Sequence, residues 1–381
     1  MTATAANPRR RDLRLDFFRG LALFMIFLDH IPNNVMNHFT VRAIGFSDAA
    51  EIFIFISGYV AAMVYGRAMM RHGFLVATAQ VFRRVWQLYV AHLTLFMIYM
   101  AEVSYALSRL DNPLFRDDLR VGDFLTEPHI AIVKALTLQF QPKFLDILPL
   151  YILLLLIFPL VLLALRRHAV LALAPSFLIY LVMQAGEFAF PAYPAGQVWF
   201  FNPLAWQFLF VIGAACGHAA VEGRRVVPGG RLTLLLAAGF SLLCTLIHLD
   251  WELHAVWPGI PDMLGGLLWP YLSKTNLAPL RLLNFLALAV VVARLLPPHA
   301  TVLTRLGSKL VIVCGQNSLY VFCLGILLAV LCSMLQMTFN LPVAAQILYS
   351  LAGLALMLGL ALLLMWYGRT MQKPAQGESK T

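Results

Sequence analysis

The sequence predicts an all-α integral membrane protein whose chain crosses the bilayer about ten times. Of its 381 residues, 61% are hydrophobic and 12% are charged, whereas a soluble domain averages about 25% charged residues. Apolar runs long enough to span a bilayer recur along the whole chain. One soluble core would not need so many runs, so these observations exclude a soluble globular protein.

Ten helices are predicted from the apolar runs. They cover residues 15–31, 43–66, 84–104, 145–165, 169–187, 203–218, 232–249, 279–296, 310–333 and 343–366. They form a single predicted membrane domain over residues 1–372. The polar residues 373–381 are predicted to be a disordered cytoplasmic tail. Residues 126–141 have the pattern of an amphipathic helix lying on the outer membrane surface.

The basic residues predict that both ends of the chain are cytoplasmic. Most Lys and Arg residues fall on one side of the bilayer if the N-terminus is inside, as positively charged loops generally do. The first apolar run follows Arg9, Arg10, Arg11 and Arg14, as a signal peptide would, but no small-residue cleavage site follows it. The net charge of +10 therefore needs no nucleic-acid partner to explain it.

The five cysteines are predicted to be small apolar packing residues. All of them fall inside predicted spans, without the spacing of a metal site and without pairs in outer segments. We therefore expect neither a disulfide framework nor a metal centre.

Ionisable residues inside the first predicted helix are candidates for function, because such residues are costly in a membrane. Arg19 and His30 are eleven residues apart, which places them on nearly the same helix face, with a rise of about 16 Å between them. Asp16 can pair with Arg19, and Asp29 precedes His30. Alternatively, Arg19 and His30 extend to the two membrane interfaces as snorkelling side chains.

The second and third predicted helices add charged residues at the predicted depths of His30 and of Arg19. Asp48 and Glu51 lie three residues apart on one face, at the predicted level of His30, where a carboxylate would fix the imidazole tautomer. A buried structural pair is the alternative. Arg83 and Arg84 lie at the cytoplasmic start of the third predicted helix, either as membrane anchors or as ligands for phosphate groups.

Four stretches of the sequence resemble a known family. The run from Leu15 to His30 resembles the first helix of the membrane acyltransferase 3 superfamily, with its Arg, ten residues and His. Glu51–Tyr59, Phe82–Tyr89 and Gly315–Tyr320 resemble the family's second-helix, third-helix and late motifs. The chain is most similar to the OpgC branch, which succinylates osmoregulated periplasmic glucans. Two positions depart from the superfamily pattern: Glu51 replaces an Asp, and Gly325 replaces a late His.

The resemblance implies an O-acyltransferase of a bacterial inner membrane. Its donor would be cytoplasmic acyl-coenzyme A, with succinyl the expected acyl group, and no tightly bound cofactor is implied. Its acceptor would be a periplasmic glucan or another carbohydrate. His30 would be the general base. Asp29, Asp48 or Glu51 would orient its imidazole, and Glu51 is preferred because it aligns with the family acid.

The donor-binding residues are expected at the cytoplasmic side. Arg19, Arg83 and Arg84 would hold the phosphates of the donor, and Ser57 and Tyr59 belong to the motif beside them. Tryptophans of the outer segments would offer a surface for the sugar, unless they form an interfacial aromatic belt; they are Trp199, Trp251, Trp257 and Trp269.

Two other classes of function compete with the acyltransferase. A transporter or channel could use His30 and Glu51 as an intramembrane proton relay. A scaffold of a glucan-export machinery would carry no chemistry and would tolerate loss of His30.

Overall fold

The computed structural model describes residues 12–371 apart from 111–113, 187, 225–229, 258, 260–264 and 299, and over these residues the protein is all-helical. The helices are α1 (Leu13–Asp29), α2 (Ala49–Leu110), α3 (Leu114–Asp118), α4 (Gly122–Thr126), α5 (Pro128–Leu136), α6 (Ile147–Arg167), α7 (Ala169–Gly186), α8 (Pro203–Val221), α9 (Arg231–Val256), α10 (Gly265–Leu268), α11 (Pro279–Leu295), α12 (Leu306–Gln316), α13 (Ser318–Phe339) and α14 (Val343–Met371). The all-α prediction is confirmed. The predicted tail, 373–381, lies outside the described residues.

Seven of the described helices are long and apolar enough to cross a membrane: α2, α6, α7, α8, α9, α13 and α14. The helix α2 has 62 residues and is interrupted at Gly73, whose φ of 83° departs from the helix. A straight helix of that length would extend about 93 Å, about three times the hydrocarbon thickness of a bilayer. The break at Gly73 divides it into two segments, 49–72 and 74–110.

The first segment of α2 begins six residues later than predicted because of its cap. Asp48 accepts a hydrogen bond from the backbone N–H of Ala50 at 2.8 Å, and Glu51 accepts one from the N–H of Asp48 at 2.8 Å. This reciprocal arrangement is a capping box, which marks a helix start. The preceding residues, predicted as helix from 43, form short 3₁₀ turns and a loop instead.

The helices that carry the polar residues cross at very short distances. A Cβ at Gly213 of α8 would collide with the backbone of Phe55 in α2, and a Cβ at Gly315 of α12 would collide with the backbone of Asp16 in α1. Small residues permit this approach, which gives helices in a membrane their packing contacts. One crossing thus joins α2 to α8, and the other joins α1 to α12.

The predicted helix 310–333 is two helices, α12 and α13, separated at Asn317. The side-chain amide of Asn317 donates to the carbonyl of Val313 at 3.0 Å, and its backbone N–H donates to Val313 and Cys314, each at 3.2 Å. Asn competes in this way with the regular helical hydrogen bonds. The new helix therefore begins at Ser318, inside the bundle.

The amphipathic helix predicted over 126–141 is shorter. It is α5, which begins at Pro128 and ends at Leu136. Ala131 and Ala135 are buried against the bundle, whereas Ile132 and Val133 are exposed. The exposed apolar side chains agree with a helix at a membrane surface.

Candidate functional site

His30 lies directly after the end of α1, in a position held by its neighbours. Pro32 disfavours helical geometry at the residue before it, and the helix ends at Asp29. The carbonyl of His30 accepts a hydrogen bond from Ser333 Oγ at 3.1 Å. The imidazole stacks on Phe144, with the ring centroids 4.2 Å apart. The side chain is therefore oriented by stacking, and its Nδ1 is buried without a hydrogen-bond partner among the described residues.

His30 lines a cavity of about 860 Å³, which we call the His30 cavity. This volume is within the range of about 300–1,000 Å³ that small-molecule sites occupy. Its wall combines aromatic side chains with charges of both signs. The charged residues are Asp29, Arg42, Asp48, Asp146, Glu252, Lys274 and Arg281.

A buried ion cluster forms one part of this wall. Arg281 Nη2 lies 2.9 Å from Asp48 Oδ2, and the Nε of Arg281 donates to Glu51. Lys274 Nζ lies 2.5 Å from Asp48 Oδ2. Glu51 is fully buried. Each carboxylate thus has a cation and a backbone N–H as partners, which offsets much of the cost of removing its charge from water.

The structure does not place the predicted carboxylates in hydrogen bonds with His30. Glu51 and Asp48 are bound to Arg281 and to the cap of α2, while Asp29 accepts a hydrogen bond from Thr40 Oγ1 at 2.8 Å. In this structure the acids therefore serve the wall of the cavity. That one of them orients the imidazole of His30 stays a prediction.

Arg19 and Arg84 come together in a second cavity of about 210 Å³, the Arg19–Arg84 cavity. The hydroxyl-bearing residues Ser57 and Ser318 line it as well. Ser57 is buried, with 2% of its surface exposed. Arginines from α1 and α2 and serines from α2 and α13 thus meet at one place, and each of the four family-like stretches contributes one of them.

Arg83 does not share this position. It is exposed, and it lines neither the His30 cavity nor the Arg19–Arg84 cavity. Successive residues of a helix point about 100° apart, so only one of the two neighbouring arginines can face the bundle. That residue is Arg84.

A third cavity of about 880 Å³, the Asp16 cavity, adjoins the second. Asp16, Arg19, Tyr59 and Arg67 line it. Gln316 Nε2 lies 3.5 Å from Asp16 Oδ2, which links the end of α12 to α1. Tyr59 therefore belongs to this third cavity, and Ser57 to the second.

The three cavities follow one another through the bundle. Arg19, Val60 and Val64 line both the Asp16 cavity and the Arg19–Arg84 cavity. Phe322 lines both the Arg19–Arg84 cavity and the His30 cavity, and its ring stacks beside Phe53 with 6.1 Å between centroids. The boundary between the arginines and the histidine is therefore aromatic.

Sequence reasoning missed several residues of the site. Arg281 lies inside a predicted span, and a charge in that place is itself a signal for function. Lys274 and Phe322 offered no such signal. At the position of the absent late histidine, Gly325 packs against Met357 and Phe27, so this position belongs to the packed core.

The four tryptophans have different surroundings. Trp251 lines the His30 cavity and stacks on Phe46, with centroids 5.5 Å apart. Trp199 is buried, whereas Trp257 is exposed. The side chain of Trp269 lies outside the described residues. Among the three tryptophans whose side chains the structure describes, Trp251 is thus the one that lies at the His30 cavity.

These features define a membrane protein whose helical bundle contains a histidine cavity, an ion-paired wall and an arginine cavity in series. The family model of the OpgC protein matches residues 11–369, nearly the whole chain. The chain therefore belongs to the OpgC family, and this resemblance is confirmed. The wider membrane acyltransferase 3 placement stays a prediction. No curated protein and no solved structure matches the chain.

Removal of Arg281 should destabilise the protein strongly. Arg281→Leu leaves the buried carboxylate of Glu51 without its cation and removes one of the two cations beside Asp48. Loss of one partner of a buried ion pair typically costs about 3–5 kcal/mol. We expect a clear fall in the unfolding temperature of the detergent-purified protein. The matched control is Arg42→Leu, because Arg42 is exposed at the same cavity and should leave that temperature nearly unchanged. Adding Glu51→Gln to Arg281→Leu should restore part of the loss. Equal unfolding temperatures for both single variants would show that Arg281 does not stabilise the protein through this ion cluster.

Proposed function

We propose that this protein is a membrane O-acyltransferase that moves a succinyl group from cytoplasmic acyl-coenzyme A to a hydroxyl of a periplasmic glucan. The observation that carries this proposal is the series of three cavities that joins Arg19 and Arg84 to His30. Membership of the OpgC family supports a glucan-modifying role.

The proposed topology has ten spans, with both termini on the cytoplasmic side of a bacterial inner membrane. The two segments of α2 count as two spans, and α6, α7, α8, α9, α13 and α14 count as one each. The helices α1 and α11, of 17 residues each, bring the number to ten. Basic residues support the orientation, because Arg166 and Arg167 end α6 on the side predicted to be cytoplasmic.

The donor end of the path is assigned to the Arg19–Arg84 and Asp16 cavities. Guanidinium groups bind phosphate oxygens through a planar fork. The helix α13 begins at Ser318 beside them, and a helix N-terminus favours negative charge. From Arg19 to His30 the rise along α1 is about 16 Å, so a long donor could have its phosphates at one end and its thioester at the other.

His30 is assigned as the general base. A neutral imidazole has a lone pair on one ring nitrogen and can accept a proton there. The acceptor hydroxyl would give its proton to His30 while its oxygen attacks the thioester carbon. The carbon–sulfur bond then breaks, and the coenzyme A thiolate takes the proton from the imidazolium. The products are an ester and a free thiol.

A succinyl donor would bring its one free carboxylate into the His30 cavity. Arg42 lines that cavity and is without an ion-pair partner among the described residues, so it can receive an anionic group. Charge-assisted hydrogen bonds of this kind contribute about 1.5–3 kcal/mol. This supports a dicarboxylic acyl group over acetyl.

The proton-relay transporter receives less support from the structure. Glu51 is held by Arg281 and by the capping box and makes no hydrogen bond with His30, so the two predicted relay groups are separate. A scaffold without chemistry would have no use for a fixed imidazole facing a cavity of this size.

Cysteine labelling tests the topology. Glu127 is exposed before α5, and His168 is exposed between α6 and α7. In intact spheroplasts, an impermeant thiol reagent should label Glu127→Cys, whereas His168→Cys should react only after the membrane is opened. The unmodified protein measures the background from its own cysteines. The reverse labelling pattern would put His30 on the wrong side for a periplasmic acceptor.

Donor binding should distinguish the two neighbouring arginines. Arg84→Ala removes a guanidinium from the Arg19–Arg84 cavity and should weaken coenzyme A binding by at least about tenfold, the effect of one lost charge-assisted contact. Arg83→Ala is the matched control and should leave the dissociation constant nearly unchanged. Isothermal titration with the detergent-purified protein measures both. If the two variants bind equally well, the phosphates are not held at this cavity.

Loss of His30 should abolish transfer without loss of folding. His30→Ala should lower the rate of succinyl transfer to glucan by about 10²-fold or more, which is a typical general-base contribution. His38→Ala alters an exposed histidine that follows in the same segment and should be near wild type. Mass spectrometry of the glucan measures transfer, and acetyl-coenzyme A should be a poorer donor than succinyl-coenzyme A. A His30→Ala protein with most of its activity would rule out the assignment.

A further inference from the structure

A fourth cavity, which we call the Tyr193 cavity, adjoins the His30 cavity and is not used by the proposed reaction. It has a volume of about 350 Å³, within the range of small-ligand sites. Asp146 and Phe200 line both cavities, so a molecule bound in the Tyr193 cavity could extend one group towards His30.

The wall of this cavity is held in place by backbone contacts. The backbone N–H of Tyr193 donates to the carbonyl of Gln139 at 2.9 Å. The backbone N–H of Ala192 donates to the carbonyl of Gln197, also at 2.9 Å. The ring of Tyr193 meets Phe140 edge to face, with centroids 5.8 Å apart. The loop that carries Tyr193 is therefore anchored to the segment before α6.

One polar group of the wall lacks a partner. The side chain of Gln141 donates through Nε2 to the carbonyl of Leu138 at 2.9 Å. Its Oε1 is buried and accepts no hydrogen bond from any described residue. A buried acceptor without a partner is costly. Gln141 also lines the cavity, so a polar ligand bound there would lie beside this amide side chain.

The composition of the wall selects for a neutral, hydroxyl-rich ligand. Arginines Arg116 and Arg120 face the cavity together with carboxylates of Asp117, Asp123 and Asp146. The carboxylates repel an anionic ligand, and the guanidinium groups repel a cationic ligand. The hydroxyl groups of a neutral ligand can donate hydrogen bonds to the carboxylates and accept hydrogen bonds from the guanidinium groups. The half-buried rings of Tyr193 and Phe200 offer apolar contact area, and the Tyr193 hydroxyl adds a polar tip.

We propose that the Tyr193 cavity binds a sugar unit of the acceptor and holds it beside the His30 cavity. This proposal rests on the proposed function for the identity of the acceptor, but it concerns binding alone. A neighbouring sugar of the same chain would then reach the His30 cavity across the boundary formed by Asp146 and Phe200.

The test measures sugar binding to the full-length protein in detergent. The probes are glucose trisaccharides with β-1,2, β-1,3 and α-1,4 linkages, titrated calorimetrically without donor. Wild type should bind at least one of them. Tyr193→Ala should weaken that binding by at least about tenfold through loss of the aromatic contact. Tyr105→Ala is the matched control, because Tyr105 is 66% exposed and lines none of the cavities.

Two further measurements separate this proposal from the proposed function. His30→Ala should retain the trisaccharide affinity of wild type even though its transfer is lost. Coenzyme A affinity in Tyr193→Ala should be unchanged, which shows that this variant is folded. If glucan is succinylated but Tyr193→Ala binds trisaccharide as well as wild type, the sugar site is overturned and the acyltransferase stands. If trisaccharide binds and depends on Tyr193 but no succinyl is transferred, the sugar site stands alone. Absence of binding by wild type at millimolar trisaccharide overturns the proposal.

Discussion

The ion cluster of Asp48, Glu51, Lys274 and Arg281 is the interaction on which the shape of the His30 cavity depends. Each charge taken from water loses several kcal/mol of solvation, so a buried charge persists only where opposite charges and hydrogen bonds replace water. The acids begin α2, whereas Arg281 lies in the first turn of α11, 230 residues after Glu51. Their pairing joins two distant parts of the chain and places both beside His30.

Much of the fold could be predicted from hydropathy. Each membrane-spanning helix makes its backbone hydrogen bonds within itself and must be apolar over a fixed length. The helix starts depended on local hydrogen bonds that a span prediction does not weigh, as at Asp48 and Asn317. For the site, Arg19 and His30 were found because Arg19 lies in α1 and His30 directly after it, at a fixed spacing. The partners of Glu51 could not be found in this way, because a contact with Arg281 depends on how α2 and α11 pack.

The glycine crossings explain why motifs far apart in sequence meet at one cavity. Gly315 lets α12 touch the backbone of α1 at Asp16, one turn before Arg19. The break at Asn317 then starts α13 at Ser318, which therefore lies beside Arg19. Within the late motif, the glycine sets the distance between two helices and the serine reaches the cavity. A larger residue at position 315 would separate the two halves of the site.

The aromatic boundary at Phe322 bears on how the proposed transferase would join two compartments without becoming a channel. An open polar path between the Arg19–Arg84 cavity and the His30 cavity would let water and ions cross the bundle. Phe322 has only 3% of its surface exposed, and it stacks beside Phe53 where the two cavities meet. An apolar constriction excludes hydrated ions because they would lose their water there. The flexible and largely uncharged arm of an acyl-coenzyme A donor would suffer no comparable loss in an apolar passage. A boundary of this kind therefore suits a donor that stays bound while its acyl group is transferred. It suits less well a transporter that releases a soluble substrate on the other side.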